Sequence, residues 1–265
     1  MSDLGDALVE LQSLTERLRA ECPWDRAQTA QTIVPHTVEE AYEVADAALE
    51  GDDAKLLDEL GDLLFQVYFL ALLLSERGIG DLADVARGVH DKLVRRHPHV
   101  FGETEVDTAG EVKARWEELK RTQESREGIF HDVPESLPAL LYARKLQRRA
   151  ASVGFEYPDA AGALADLESE LVELRAELAE RPEPAPETPP DDRQAAELGD
   201  VLFAAVNVAR RLNVDPELEL RRAARRFAER VEEAERLAAA DGNEFARLDL
   251  DLQDGYFDRA KEKQA

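Results

Sequence analysis

The tetrapeptide Glu-Leu-Gly-Asp occurs twice in this chain, at 59–62 and at 197–200, and each copy runs straight into an apolar helical stretch, ELGDLLFQVYFLA and ELGDVLFAAVNVA. The surroundings repeat as well. An acidic segment precedes each copy, with Glu39, Glu40 and Glu43 before the first and Glu170 and Glu173 before the second. A basic segment follows each, with Lys92 to Arg96 after the first and Arg226 to Arg230 after the second. Recurrence of one ordered pattern at long spacing is the mark of a duplicated structural unit. Apolar residues return at helical intervals almost throughout, no run alternates as a strand does, and no Asn-Gly hairpin turn is present. The expected fold is therefore all-α, built as two tandem helical bundles.

Helices are expected at about Leu4–Leu18, around Val38 to Glu50, at about Ala54–Arg77 and at about Leu82–Arg96. A fifth carries Val112, Trp116 and Leu119, and the second half is expected to form helices at about 138–151, 160–180, 192–212, 216–240 and 252–263. Gly51-Asp52-Asp53 and Gly78 act as breaks. The stretch RPEPAPETPPDD, residues 181–192, is too rich in Pro to hold a helix and reads as an exposed loop. Expected boundaries are a first module at 1–125, a connecting segment at 126–152 and a second module at 153–265. Thr37-x-x-Glu40 fits a capping box. Cys22 reads as a small buried residue, Trp24 and Trp116 as core, and His97 and His99 as hydrogen-bonded structural residues flanking Pro98 in a turn.

With 33 basic and 58 acidic residues the chain carries a net charge of −25. Such a field repels nucleic-acid backbones and anionic membranes, which argues against binding either. A single cysteine cannot form an internal disulfide and fits a reducing cytoplasm. The N-terminus lacks a basic region followed by a cleavage site, and the apolar run Leu63 to Leu74 is too short to span a bilayer.

Chemistry points to the acids. Glu39, Glu40 and Glu43 fall within about one helical turn, and Glu59 and Asp62 lie about 60° apart on the next helix. Two antiparallel helices can thus aim up to five carboxylates at one space. Such crowding is costly unless a hard divalent cation neutralises it, and an all-oxygen site suits magnesium (Mg2+), with manganese (Mn2+) as the alternative. Taken singly, each acid in so acidic a chain could be plain solvated surface. Lys55 stands one turn before Glu59 and Arg193 one turn before Glu197. Lys92 shares a face with Arg96, and Arg226 with Arg230. Carboxylate-held metal facing Lys and Arg is the equipment a polyphosphate requires.

Glu39-Glu40-Ala41-Tyr42-Glu43 followed by Glu59-Leu60-Gly61-Asp62 resembles the E-E-x-x-E … E-x-x-D signature of the MazG-type all-α nucleoside triphosphate pyrophosphatases. Cys22-Pro23-Trp24-Asp25 with Gln28-Thr29, and Arg95-Arg96-His97-Pro98-His99-Val100-Phe101-Gly102, are similar to that family too. So is the passage from Pro138 through Gly154-Phe155, which resembles the join between halves in two-copy members. The resemblance covers nearly the whole chain. It implies tandem MazG-like bundles, a homodimer, and Mg2+-dependent hydrolysis of nucleoside triphosphates to the monophosphate and pyrophosphate, in house-cleaning of the nucleotide pool.

Carried over residue by residue, the resemblance makes Glu39, Glu40, Glu43, Glu59 and Asp62 metal ligands or water-orienting groups, the last four catalytic. It makes Lys55, Lys92, Arg95 and Arg96 phosphate contacts. In the second copy Glu170, Glu173, Glu197 and Asp200 are the matching acids and Arg193, Arg226 and Arg230 the matching cations. Phe257 stands where the family often has a base-stacking Trp. Ser169 replaces the first acid of the second copy, which puts equal activity of the copies in doubt, although in the family the C-terminal copy can be the working one. Two alternatives remain at this point: a pyrophosphohydrolase of narrower substrate range (dUTP or phosphoribosyl-ATP), and a non-catalytic nucleotide-binding partner protein.

Overall fold

A computed structural model of the chain describes residues 3–102, 108, 128–131, 133–180 and 189–264. These residues are almost wholly helical, with no strand among them. The chain divides into two compact units, Met1–Gln123 and Glu124–Ala265.

The first unit holds α1 (Leu4–Glu21), α2 (Pro23–Ala27), α3 (Ala30–Glu50), α4 (Asp53–Glu76), α5 (Leu82–Arg96) and α6 (Pro98–Phe101). Its centre is the α3–α4 hairpin, and the turn explains it. Gly51 adopts the left-handed conformation, φ 73°, and its N–H caps the Ala47 carbonyl. A glycine reaches that conformation without the penalty a Cβ brings. Asp52 follows at once and accepts from the N–H groups of Ala54 and Lys55 at 3.1 and 3.0 Å, starting α4. Two residues thus end one helix, cap the next and reverse the chain. Ile33 packs with Phe69 and Leu73 in the core between the two helices, with Phe65 and Leu70 against it.

Helix α1 lies on α4, where Arg19 makes a two-pronged pair with Glu76, Nε to Oε1 at 2.7 Å and Nη2 to Oε2 at 2.9 Å. Arg19 Nη1 also donates to the carbonyls of Asp25 and Gln28, so one side chain ties α1, the α2 turn and the end of α4 together.

Several expectations needed correction. Helix α3 starts at Ala30 and runs through Pro35, capped by a reciprocal Thr29–Thr32 box. Thr37 is therefore mid-helix, its hydroxyl near the Ile33 carbonyl at 3.5 Å, and caps nothing. Pro98 begins the short helix α6 rather than a plain turn. Trp24 is 51% exposed, not core, and meets His36 edge-on. Cys22 is only half-buried. His97 does make a structural hydrogen bond, Nδ1 to the Leu93 carbonyl at 2.6 Å. The expected helix with Val112, Trp116 and Leu119 lies outside the described residues.

The second unit holds α7 (Ala139–Ala151), α8 (Ala160–Glu180), α9 (Asp192–Arg211), α10 (Pro216–Ala240), a 3-10 turn (Phe245–Arg247) and α11 (Leu250–Gln264). Helices α8 and α9 pair, α7 packs on α9 and α10, and α10 pairs with α11. Ala234, Ala238, Tyr256 and Ala260 form a small core in the last hairpin, with Phe257 against it. Of the expected Pro-rich loop, residues 181–188 lie outside the described residues. Asp191 caps α9 through the N–H groups of Arg193 and Gln194. The loop between α7 and α8 turns at Gly154, φ 90°. It is held to α9 by Glu156, which accepts from Arg210 at 2.5 Å and Arg211 at 2.9 Å.

Candidate metal and polyphosphate sites

The Gly51-Asp52 turn sets the register of the acids. Glu43 lies eight residues before Gly51 and Glu59 eight after it; Glu40 lies eleven before and Asp62 eleven after. At 1.5 Å of rise per residue these pairs sit level across the hairpin. Carboxylate oxygens of Glu40, Glu43 and Glu59 all lie within 4.8 Å of one another. The electrostatics follow the same register. Glu40 is pushed above the ordinary carboxylate range by its burial, then by the charge of Asp62, a hydrogen bond with Glu43, and the charges of Glu43 and Glu59. Glu59 is raised by loss of water, then by Glu43; Lys55 opposes the shift, and Asp62 and Asp58 add to it. Lys55 also stands 3.9 Å from Glu50.

Glu39 is placed differently. It is exposed and its carboxylate faces His36 Nδ1 at 3.6 Å, outside the group of three.

The second unit repeats the arrangement. Glu170 on α8 and Glu197 and Asp200 on α9 bring carboxylate oxygens within 4.8 Å of one another. Glu170 is raised by burial, then by Glu173, Asp200, Asp166 and Glu197. Asp166 was not singled out from sequence. It stands four residues before Glu170, hence on the same helix face, and that spacing was the available signal. Tyr157 donates to Asp166 at 2.6 Å.

The cations stand on the acid-bearing helices themselves or on elements packed against them. Lys92 and Arg95 are exposed and Arg96 half-buried at the end of α5, which packs on acid-bearing α4. Arg193 is exposed in the first turn of α9, and Arg226 (exposed) and Arg230 (half-buried) lie on α10, which contacts α9. Phe257 faces Phe227, ring centres 5.7 Å apart, with the Lys261 ammonium 5.4 Å from its own ring.

Both groups are oxygen-only donor sets whose members repel one another, the condition a hard divalent cation relieves. The residues present therefore fit such an ion. Exposed acids cluster in many proteins without one, but here both clusters use the equivalent motif positions Glu40 and Glu170, and Glu59 and Glu197, with a third acid from the same motifs in each.

Residues 28–101 match the MazG nucleotide pyrophosphohydrolase domain. The chain is 39% identical to the nucleoside triphosphate pyrophosphohydrolase of Escherichia coli (strain K12), over 96% of this chain and 97% of that protein. It is 38% identical to the nucleoside triphosphate pyrophosphohydrolase/pyrophosphatase MazG of Thermotoga maritima, over 98% of each. A crystal structure of a mazG-related protein from Thermotoga maritima aligns with 43% of this chain and 98% of its own, at 28% identity and a TM-score of 0.38.

Proposed function

The chain belongs to the MazG family of nucleoside triphosphate pyrophosphohydrolases, and from that premise we propose that it hydrolyses nucleoside triphosphates to the monophosphate and pyrophosphate at two carboxylate sites loaded with Mg2+. The observation that carries this reading is the duplicated carboxylate group, Glu40, Glu43 and Glu59 in one unit and Glu170, Glu197 and Asp200 in the other. Asp62 and Glu173 complete the two sets, and Glu39 sits at the rim of the first.

The divalent cation, when bound, supplies Lewis-acid polarisation of the phosphoryl oxygens. The chain's own groups do the rest. Glu40 is the residue assigned to take the proton from attacking water, because it stands half-buried within 4.8 Å of Glu43 and Glu59. Lys55, Lys92, Arg95 and Arg96 in the first unit, and Arg193, Arg226 and Arg230 in the second, are assigned to the negative charge that grows on the departing pyrophosphate. Phe257 is assigned as an aromatic contact for the nucleoside. The proposed setting is the cytoplasm, and the proposed assembly is a homodimer.

A product assay over the ribo- and deoxyribonucleoside triphosphates tests the reading. Pyrophosphate and the monophosphate are expected, dependent on Mg2+ and abolished by EDTA. Orthophosphate with the diphosphate as co-product contradicts attack at the α-phosphorus.

A further inference from the structure

The second motif has Ser169 where the first has an acid, and the structure brings a different acid to the same helix. The motifs fix which positions correspond between the units. Glu40 matches Glu170 and Glu43 matches Glu173, so Asp166 stands at the position of His36 and Ser169 at that of Glu39. His36 and Asp166 each lie four residues, about one helical turn, before the first acid of the local group, and so on the same helix face as that acid. In the first unit His36 and Glu39 face each other at 3.6 Å. In the second unit both members of this pair have changed, and one acid remains in it.

Asp166 is not a loose surface acid. It is half-buried, while Ser169 is exposed. Tyr157 donates to its Oδ1 at 2.6 Å. The Tyr157 hydroxyl is held above the ordinary tyrosine range by that hydrogen bond first, then by burial and by the charges of Asp166 and Glu170, so it stays protonated as a donor. The ring is seated as well. A Cβ on Gly162, one turn before Asp166, would stand 3.3 Å from Tyr157 Cβ and 3.5 Å from its Cδ1, so glycine there leaves the ring room against α8. The first unit has a matching contact: Trp24, from the segment before α3, meets His36 edge-on with ring centres 5.7 Å apart. In both units an aromatic residue preceding the acid-bearing helix holds the side chain one turn from the carboxylate group.

No cation pairs with Asp166 among the described residues. Its charge is felt instead by Glu170, ahead of that of Glu197, a member of the group of three. An unneutralised carboxylate at this range strengthens the attraction of the group for a divalent cation without touching the ion.

We propose that Asp166, oriented by Tyr157, is a positioning residue of the second site: its charge joins those of Glu170, Glu173, Glu197 and Asp200 and tightens their hold on a divalent cation, making up in part for the acid that Ser169 replaces. The assignment rests on the metal reading of the second carboxylate group.

The test is Mn2+ binding to the full chain, read from the electron paramagnetic resonance signal of the free ion, with Glu40→Gln and Asp62→Ala present throughout to silence the first site. Asp166→Asn should weaken binding by about 5-fold, the Coulomb effect of one charge on a divalent ion roughly two helical turns away through water. Asp166→Glu keeps the charge and should retain most of the affinity. Tyr157→Phe removes only the orienting hydroxyl and should cause a smaller loss than Asp166→Asn; an affinity equal to the parent's removes Tyr157 from the assignment. Unchanged affinity in Asp166→Asn overturns the assignment while the metal reading stands. So does a loss in Asp166→Glu as large as in Asp166→Asn, because the residue would then act by its shape and not by its charge. Failure of the parent background to bind Mn2+ overturns the metal reading of the second group, and the assignment with it.

Discussion

Single side chains in this protein matter most where one of them ties several elements together. Arg19 is the clearest case, since it holds the Asp25 and Gln28 carbonyls and clasps Glu76. The hydrogen bond from Arg19 is the main reason Glu76 is held below the ordinary carboxylate range. A carboxyl so depressed stabilises the fold above its unfolded-state value, and the contribution is lost as pH falls through the folded value. The Glu76 side chain is 40% exposed, so solvent screening limits the pair to about 1 kcal/mol. Glu76→Gln should therefore lower stability by about that amount at neutral pH in urea melts, with the gap to the parent closing under acid conditions. A gap that stays constant with pH would show that packing, not charge, is what the substitution disturbs. The carboxylate groups present the opposite case, since Glu40, Glu59 and Glu170 are all raised, by burial first and then by the charges of the neighbouring acids.

Helices are the level at which the sequence was most readable. Periodicity located α4, α5 and α7 to α10 to within a residue or two, because each presents an apolar stripe bounded by a Gly, a Pro or a capping Asp. The ELGD repeat located both acid clusters. Three features escaped it. Pro35 lies inside α3, where a proline is ordinarily a break, so the true start at Ala30 was hidden and Thr37 took on a capping role it does not have. Trp24 is mostly exposed because α2 is a single short turn with no second face to bury a ring. The cavity that the α7–α8 loop forms with α8 and α9, lined by Phe155, Tyr157, Asp166 and Phe203, involves a loop held to α9 by the Arg210 and Arg211 contacts with Glu156, which no local pattern announces. The α3–α4 hairpin offers a direct test at this scale. A Cβ at Gly51 would meet no neighbouring atom within 4 Å, so Gly51→Ala isolates the cost of the left-handed backbone. That cost should be about 1 kcal/mol in a urea melt. No change in stability would mean the turn relaxes to another conformation and does not set the register of Glu43 against Glu59.

At the scale of the molecule, two bundles repeat one design, and the repeat extends to what they leave uncovered. Leu60 and Leu64 on α4 are exposed, and so are Leu198 and Leu202 at the equivalent positions of α9. We propose these matching apolar rows on the acid-bearing helices as the surfaces of the homodimer, because apolar rows of this kind mark contact surfaces between chains. Sedimentation at micromolar concentration should give about twice the chain mass of 29.6 kDa; a single species at the chain mass contradicts the dimer. The duplication also frames the central claim, that both clusters are metal-dependent sites of pyrophosphate release. Asp62 and Asp200 close the equivalent E-x-x-D motifs, so Asp62→Ala and Asp200→Ala each disable one site. The first copy has the fuller acid set, with Ser169 taking an acid's place in the second, and so Asp62→Ala should cost somewhat more. The decisive measurement is the initial rate of pyrophosphate release by the two single variants and the double variant in Mg2+. The account predicts a partial loss in each single variant and a fall of about 100-fold or more in the double variant, the scale of losing the main electrostatic support of the transition state. Full activity in both single variants would contradict the asymmetry between the copies, and a double variant as active as the parent would contradict the carboxylate sites themselves.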